Sequence, residues 1–208
     1  MYIPKHFQVE DKTTLIDTIR AIRFGALIIF SENNFFSVQI PFIAKENDNS
    51  INLEGHVSKI NEIWKHASKG NKAMVIFQGA HAYIHSGWYA TKFKTGKVVP
   101  TWNYEAVHCF GYAEQQQSEQ WILQHVEELT KENEENKESP WYLSDAPADY
   151  INMLIKGIVG IKIHVDKIEG ALKMSQNHPL ENRLGVIEGL SKSSNVYECE
   201  VAKIMRQL

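Results

Sequence analysis

The sequence predicts a mainly β domain of the α+β class, a small barrel of short strands with peripheral helices. Three observations carry this. Short apolar runs rich in β-branched and aromatic residues recur through the first half, separated by polar turns. Residues 75–113 hold three of them, one with Ala80, Ala82 and Ile84 alternating against His81, Tyr83 and His85. Late in the chain, Ile161, Ile163 and Val165 alternate against Lys162, His164 and Asp166. Closely spaced strands with one helix among them point to a barrel, and the hairpins of the first half argue against a doubly wound α/β sheet.

The elements follow in order. Residues 1–10 are an extended lead containing Pro4. Asp11 is placed to cap a helix carrying Leu15, Ile16, Ile19 and Ile22 at helical spacing, with Gly25 as its stop. Residues 26–30 and 35–43 read as a hairpin about the turn 31–34, and Pro41 marks an edge or a strand end. A second polar turn, 46–50, leads to a short strand, 51–54, closed by Gly55-His56. Residues 58–68 read as a helix with Ile60, Ile63, Trp64 and Ala67 on one face and Gly70 at its stop. Residues 72–78 and 80–86 are two more strands, 90–97 a basic loop with Lys92, Lys94 and Lys97, and 98–112 a strand bent near Pro100.

From Gln115 the composition shifts. Residues 118–133 form an acidic helix with Trp121, Ile122, Val126 and Leu129 on its apolar face, followed by a charged, solvated stretch, 131–139. Residues 145–156 are a helix that tolerates Pro147 in its first turn. Residues 157–171 are the alternating strand, and 180–190 and 195–207 are helices. The organisation expected is one structural domain: a barrel core over 1–114, a helical insertion over 115–157, and the last barrel strand with C-terminal helices over 158–208.

Composition bounds the function. The 208 residues suffice for a sizeable core, and 43% hydrophobic with 23% charged content is ordinary for a globular protein. A net charge of −3 and a pI of about 6.3 carry no nucleic-acid footprint, although a local patch such as Lys92, Lys94 and Lys97 is compatible with them. Cys109 and Cys199 have no CxxC spacing, which suggests reduced thiols in a cytoplasmic protein. The first residues lack the apolar core of a signal peptide, and no apolar run approaches the roughly 18 residues of a membrane span.

The chemistry points to binding more than to catalysis. There is no GxGxxG, GxxxxGK[ST] or GxSxG. His81 and His85 share a strand face about 13 Å apart, too far to share one ion, so no metal site is expected. Gly55-His56 ends a strand before the expected helix, with Lys59 and Asn61 at its start, where a phosphate would be favoured. Gln78 and Trp102-Asn103-Tyr104 offer amides and rings to a flat heteroaromatic ligand, and Lys173, Ser175 and Gln176 form a second polar cluster. The alternative for each is a cap, a turn or a barrel core whose tryptophans and tyrosines satisfy their own polar ends.

Several stretches together resemble the PaiB family of FMN-binding negative transcriptional regulators, described in bacilli with control of protease synthesis and sporulation. They are the MYIP start, Phe24-Gly25, Gly55-His56 with Asn61 and Trp64, FQGAHAYI, Trp88-Tyr89, VPTWNY, Val107-His108, KGIVG and KMSQN, in order from residue 1 to about 190. The resemblance implies an FMN-binding split β-barrel, pyridoxamine-phosphate-oxidase-like, with C-terminal helices. It also implies a homodimer whose interface forms the FMN sites, with DNA or a regulatory protein as a further partner. His56, Lys59, Asn61, Gln78, Trp102, Asn103, Tyr104, Lys173, Ser175 and Gln176 are the cofactor-binding candidates. The chain departs from the family where Gln39-Ile40-Pro41 replaces a common His-Leu-Pro and where Asn61-Glu62-Ile63-Trp64 replaces Asn-Pro-x-Trp. Two other readings of the same fold are a flavin-dependent oxidoreductase and a flavin-free interaction protein.

Overall fold

The structure, a computed structural model, describes residues 1–47, 50–68 and 70–208. Among them lie eight strands: β1 (Gln8–Val9), β2 (Phe24–Ser31), β3 (Asn34–Pro41), β4 (Ile43–Asn47), β5 (Ser50–Ser58), β6 (Lys72–Ile84), β7 (Thr101–Gln116) and β8 (Ile158–Lys173). The helices are α1 (Lys12–Ile22), α2 (Ala90–Thr95), α3 (Glu119–Glu134), α4 (Ala148–Ile155), α5 (Leu180–Ser191) and α6 (Val196–Gln207). The sheet is antiparallel, in the order β3-β2-β6-β7-β8-β5-β4, and β1 also pairs with β8. The chain divides into a terminal unit (Met1–Thr18, Gln78–Val107, Glu169–Leu208) and a central unit (Ile19–Phe77, His108–Ile168).

In the central unit, β2 and β3 form the expected hairpin, from Phe24 opposite Pro41 to Ser31 opposite Asn34. Glu32 and Asn33, with φ of 53° and 60°, make the two-residue turn whose twist suits a hairpin. The expected second strand, 35–43, is divided: Phe42 leaves the ladder, buries its ring and donates its N–H to the Arg23 carbonyl at 2.9 Å. Pro41 has no N–H to carry the ladder onward. Residues 43–47 then form β4, paired with β5 from Ile43 opposite Glu54 to Asn47 opposite Ser50. The polar turn expected over 46–50 includes residues 48 and 49, which lie outside the described residues. β5 pairs with β8 from Ile51 opposite Val165 to Ser58 opposite Ile158.

Two more expectations change in this unit. The helix read over 58–68 is a single 3-10 turn, Glu62–His66, opened by Asn61, whose side-chain oxygen accepts the Ile63 N–H at 3.3 Å. Its supposed face does not exist: Ile63 and Ala67 are buried, but Ile60 is 90% exposed. The stop of α1 is Arg23, left-handed at φ 58°, and not Gly25. Gly25 lies in β2, where an added Cβ would press on Phe77 at 2.9 Å and Val75 at 3.0 Å.

In the terminal unit, Ala80, Ala82, Ile84, Tyr89 and Met174 pack with Val186, Leu190, Val201 and Met205 from α5 and α6. Asn195 caps α6 by accepting the Tyr197 N–H at 2.9 Å. The basic loop expected over 90–97 contains the short helix α2, which ends at Gly96 with φ 66°. The two strands expected over 72–78 and 80–86 are one strand, β6. The two-strand reading has a physical origin: the buried positions are 73, 75 and 77 before Gly79 and 80, 82 and 84 after it. A glycine inside a strand often marks a close approach rather than a break, and here Glu105 fills the place of its side chain.

Candidate ligand site

The terminal unit holds a cavity of about 480 Å³, within the range of small-molecule sites. Thr101 and Asn103 of β7, Lys173 at the end of β8, and Ser175, His178 and Asn182 beyond it contribute to its wall, with Phe7, Val98 and Pro179 as apolar surface. Strand alternation explains why Thr101 and Asn103 line the same cavity while Trp102, between them, is 53% exposed.

The polar network is specific. Lys173 Nζ donates to Thr101 Oγ1 at 2.5 Å and to the Trp102 carbonyl at 2.6 Å. Ser175 Oγ donates to the buried Asn103 Oδ1 at 3.1 Å, and the Asn103 amide reaches Met205 Sδ at 3.5 Å. Asn182 accepts the Thr91 N–H at 3.0 Å and donates to Thr91 Oγ1 at 2.8 Å. Burial lowers the pKa of Lys173, and burial together with the Lys173 charge lowers that of His178, whose ring stacks on Tyr89 at 4.9 Å. Ser175 is left-handed, at φ 61°, without being glycine. Such backbone costs on the order of 1–3 kcal/mol and survives only where its surroundings hold it.

Other expected residues fall as follows. Gln176 staples its own turn, accepting the Met174 N–H at 2.6 Å and donating to the Leu172 carbonyl. Gln78 Nε2 donates to the Glu105 carbonyl at 3.1 Å. Trp102 lies among exposed rings, with Tyr83 at 5.9 Å and His81 at 6.3 Å; His81 in turn stacks on Tyr197 at 4.7 Å. Tyr104 follows on β7, half-buried. The structure thus brings Lys173 to the Trp102 carbonyl and Ser175 to the side chain of Asn103, its neighbour on β7.

His56, Lys59 and Asn61 belong to the central unit. Lys59 is not at a helix start; its N–H donates to the Gly157 carbonyl at 2.9 Å, and its carbonyl accepts the Trp64 indole N–H at 3.0 Å. Glu62 stands first in the 3-10 turn, and the turn forms without the family's proline. His56 Nδ1 lies 3.1 Å from His125 Nε2, and the His125 ring stacks on Trp121. Burial lowers both histidine pKa values, that of His125 to about 3 with help from the charges of His56 and Lys45. Beside them, Lys45 of β4 pairs with the buried Glu54 at 2.9 Å and with Glu128 at 2.5 Å, and Lys162 stands 3.7 Å from Glu54. No group of three metal-ligating side chains occurs among the described residues. Cys109 is buried, and its thiol pKa is pushed up to about 12, which makes it unreactive.

A model of the family described as "Putative FMN-binding domain" matches residues 1–167. The chain belongs to this family. FMN is therefore the cofactor that family membership assigns, and the PaiB resemblance is borne out, although the family match ends short of KMSQN. The protease synthase and sporulation protein PAI 2 of Bacillus subtilis is 29% identical over 205 residues, covering 99% of this chain and 96% of the relative. Two solved structures share the split-barrel fold at 11% identity. The FAD and heme binding protein of Mycobacterium smegmatis has a TM-score of 0.60, covering 85% of this chain and 78% of that one. A flavocytochrome of Azotobacter vinelandii has a TM-score of 0.58, covering 83% and 72%.

The residues of this FMN-binding family member that the sequence did not disclose are Thr91, Thr101, His178 and Asn182 of the cavity and His125 of the buried histidine pair. Thr91 and Asn182 meet across a large sequence separation, and no local pattern marks such a pair.

Proposed function

We propose that the chain is an FMN-binding negative transcriptional regulator of the PaiB type, acting in the cytoplasm as a homodimer, with DNA or a regulatory protein as its target. The observation that carries the flavin reading is the network joining Lys173, Thr101, Trp102, Asn103 and Ser175, whose cation and hydroxyls fit a phosphate-bearing ligand while Trp102 leaves a ring surface exposed. In the terminal unit, Gln78, Trp102, Asn103, Tyr104, Lys173, Ser175 and Gln176 are the proposed flavin contacts. In the central unit, His56, Lys59 and Asn61 are further proposed cofactor contacts, without the helix start that would have favoured a phosphate beside Lys59. The link to protease synthesis and sporulation is supported by the name of the Bacillus subtilis relative, and the regulatory role follows from the PaiB resemblance.

The test is a visible spectrum and FMN titration of the purified protein, with its mass in solution recorded. One FMN per subunit of a dimer is the expected result; no binding at saturating FMN overturns the flavin reading. The fold similarity to a flavocytochrome makes NADH oxidation by the loaded protein the discriminating assay. An inert flavin fits the regulator, and turnover fits an oxidoreductase in which the protein binds and orients while FMN supplies the hydride chemistry.

A further inference from the structure

We propose that the outer face of α4, with the hollows beside α3, docks a basic amphipathic helix of a partner protein. α4 carries two apolar faces. Its buried residue is Ile155, and Ile151 lines a hollow next to it. Tyr150, Met153 and Leu154, at i, i+3 and i+4, form a second stripe that is 50%, 60% and 47% exposed. A surface helix ordinarily turns one apolar stripe inward and a polar face to water, while a helix apolar on both sides is covered on both. Exposed apolar side chains scattered singly are ordinary; a stripe of them beside hollows marks an interaction site.

One hollow, of about 470 Å³, is lined by Leu123 and Glu127 of α3 and Ile151 of α4. The other, of about 290 Å³, lies between Glu127 and Thr130 of α3 and Tyr142. Leu143 and Ser144 line both, so they form the wall between them. Hydrogen bonds hold the chain that leads into this wall. The Trp141 N–H donates to the Glu134 carboxylate at 3.2 Å, and the Tyr142 N–H donates to the Asp145 carboxylate at 2.8 Å.

Charge selects the occupant. Residues 119–156 hold nine Asp and Glu against three Lys, a balance of −6, in a chain whose whole balance is −3. Glu127 stands exposed at both hollows, and Asp145 and Asp149 stand exposed before and at the start of α4. Such a face repels nucleic acid and anionic lipid, and two copies of it across a two-fold axis would set like charge against like. An apolar segment carrying Lys or Arg is attracted to it, and an amphipathic helix laid in a groove buries such a stripe. Tyr150 supplies an anchor ring and Met153 an adaptable contact. The contact requires neither FMN nor DNA. It deepens the protein-partner arm of the regulatory reading and rests on that reading only for the partner's role.

The probe is a fluorescein-labelled Leu/Lys peptide of about four helical turns with its leucines on one face. Its anisotropy is titrated with the full-length wild type, the double variant Tyr150→Ser, Met153→Ser, the charge reversal Glu127→Lys, and Phe93→Ser, which removes an exposed ring of the terminal unit. Circular dichroism verifies folding, and FMN affinity and mass in solution are recorded for each. A Leu/Glu peptide of the same pattern and phosphatidylglycerol vesicles are the controls.

Saturable binding of the Leu/Lys peptide that fades as salt is raised is expected. The double variant should weaken it about tenfold and Glu127→Lys severalfold, with Phe93→Ser unchanged. The exposed Glu127→Lys keeps the test valid if the double variant fails to fold. FMN affinity unchanged in the folded variants supports a docking face separate from the cofactor, and its loss in step with the peptide overturns that separation. Peptide binding without any FMN binding overturns the flavin reading and leaves the docking face standing. Absence of peptide binding to wild type, equal binding by the folded variants, or equal binding of the Leu/Glu peptide overturns the docking face and leaves the flavin reading intact. A lower mass in solution for the variants assigns the face to a second copy, and vesicle binding lost in the double variant assigns it to a membrane; either overturns the basic partner.

Discussion

The two units bury polar groups in opposite ways. In the central unit the charges close on one another: Glu54, 4% exposed, sits between Lys45 and Lys162, and Lys45 also holds Glu128. Burial works against the Lys45 charge, but Glu128 and Glu54 outweigh it and raise its pKa. In the terminal unit the network is asymmetric, with Lys173 answered by a hydroxyl and a carbonyl and by no carboxylate. A fully satisfied buried network rigidifies a core, while the terminal network holds its cation with neutral acceptors alone.

The comparison can be broken most forcefully at Glu54. Glu54→Ala leaves Lys45 and Lys162 without their shared buried carboxylate and should cost about 3 kcal/mol, as removal of one partner of a buried pair does. Urea denaturation of the variant measures this. A cost below about 1 kcal/mol would mean that the central network contributes no more than a surface pair.

A smaller effect per pH unit is expected on acidification. His125 titrates near 6.5 when unfolded but near 3 when folded, and His56 is lowered in the same direction. Below pH 6.5 the unfolded chain therefore binds protons that the folded one refuses, so stability falls as pH falls toward 3. For His125 the slope is about 1.4 kcal/mol per pH unit. His125→Phe should flatten that acid limb in a series of unfolding curves, and an unchanged limb would remove the buried pair as its cause.

The smallest effect is predicted at the cavity wall. Ser175→Gly relieves left-handed strain but loses the hydrogen bond to Asn103. Each is worth about 1 kcal/mol, so the melting temperature should barely move. A loss of several kcal/mol would show Ser175 to be part of the core rather than of a ligand wall.

Much of this was legible in the sequence because it is local. The β2–β3 hairpin follows from the turn at 31–34 and its flanking apolar runs, and α3, α5 and α6 follow from their periodicity. The misreadings share a cause. Ile60, Ile63, Trp64 and Ala67 have helical spacing, yet Asn61 caps a single 3-10 turn and Ile60 faces solvent. Gly79 reads as a break, yet β6 passes through it because Glu105 of β7 occupies the space a side chain would need.

The sequence by itself determined the mainly β class, the order of most elements, and the family through FQGAHAYI and VPTWNY. These depend on periodicity and on short contiguous motifs, which survive in one dimension. Only the tertiary structure decided that Lys173 meets Thr101, that Thr91 meets Asn182, and that His56 meets His125. Each partnership joins residues whose separation along the chain carries no signal. Whether a lysine is neutralised by a carboxylate or left to seek an anion is set by which strands and loops end beside it.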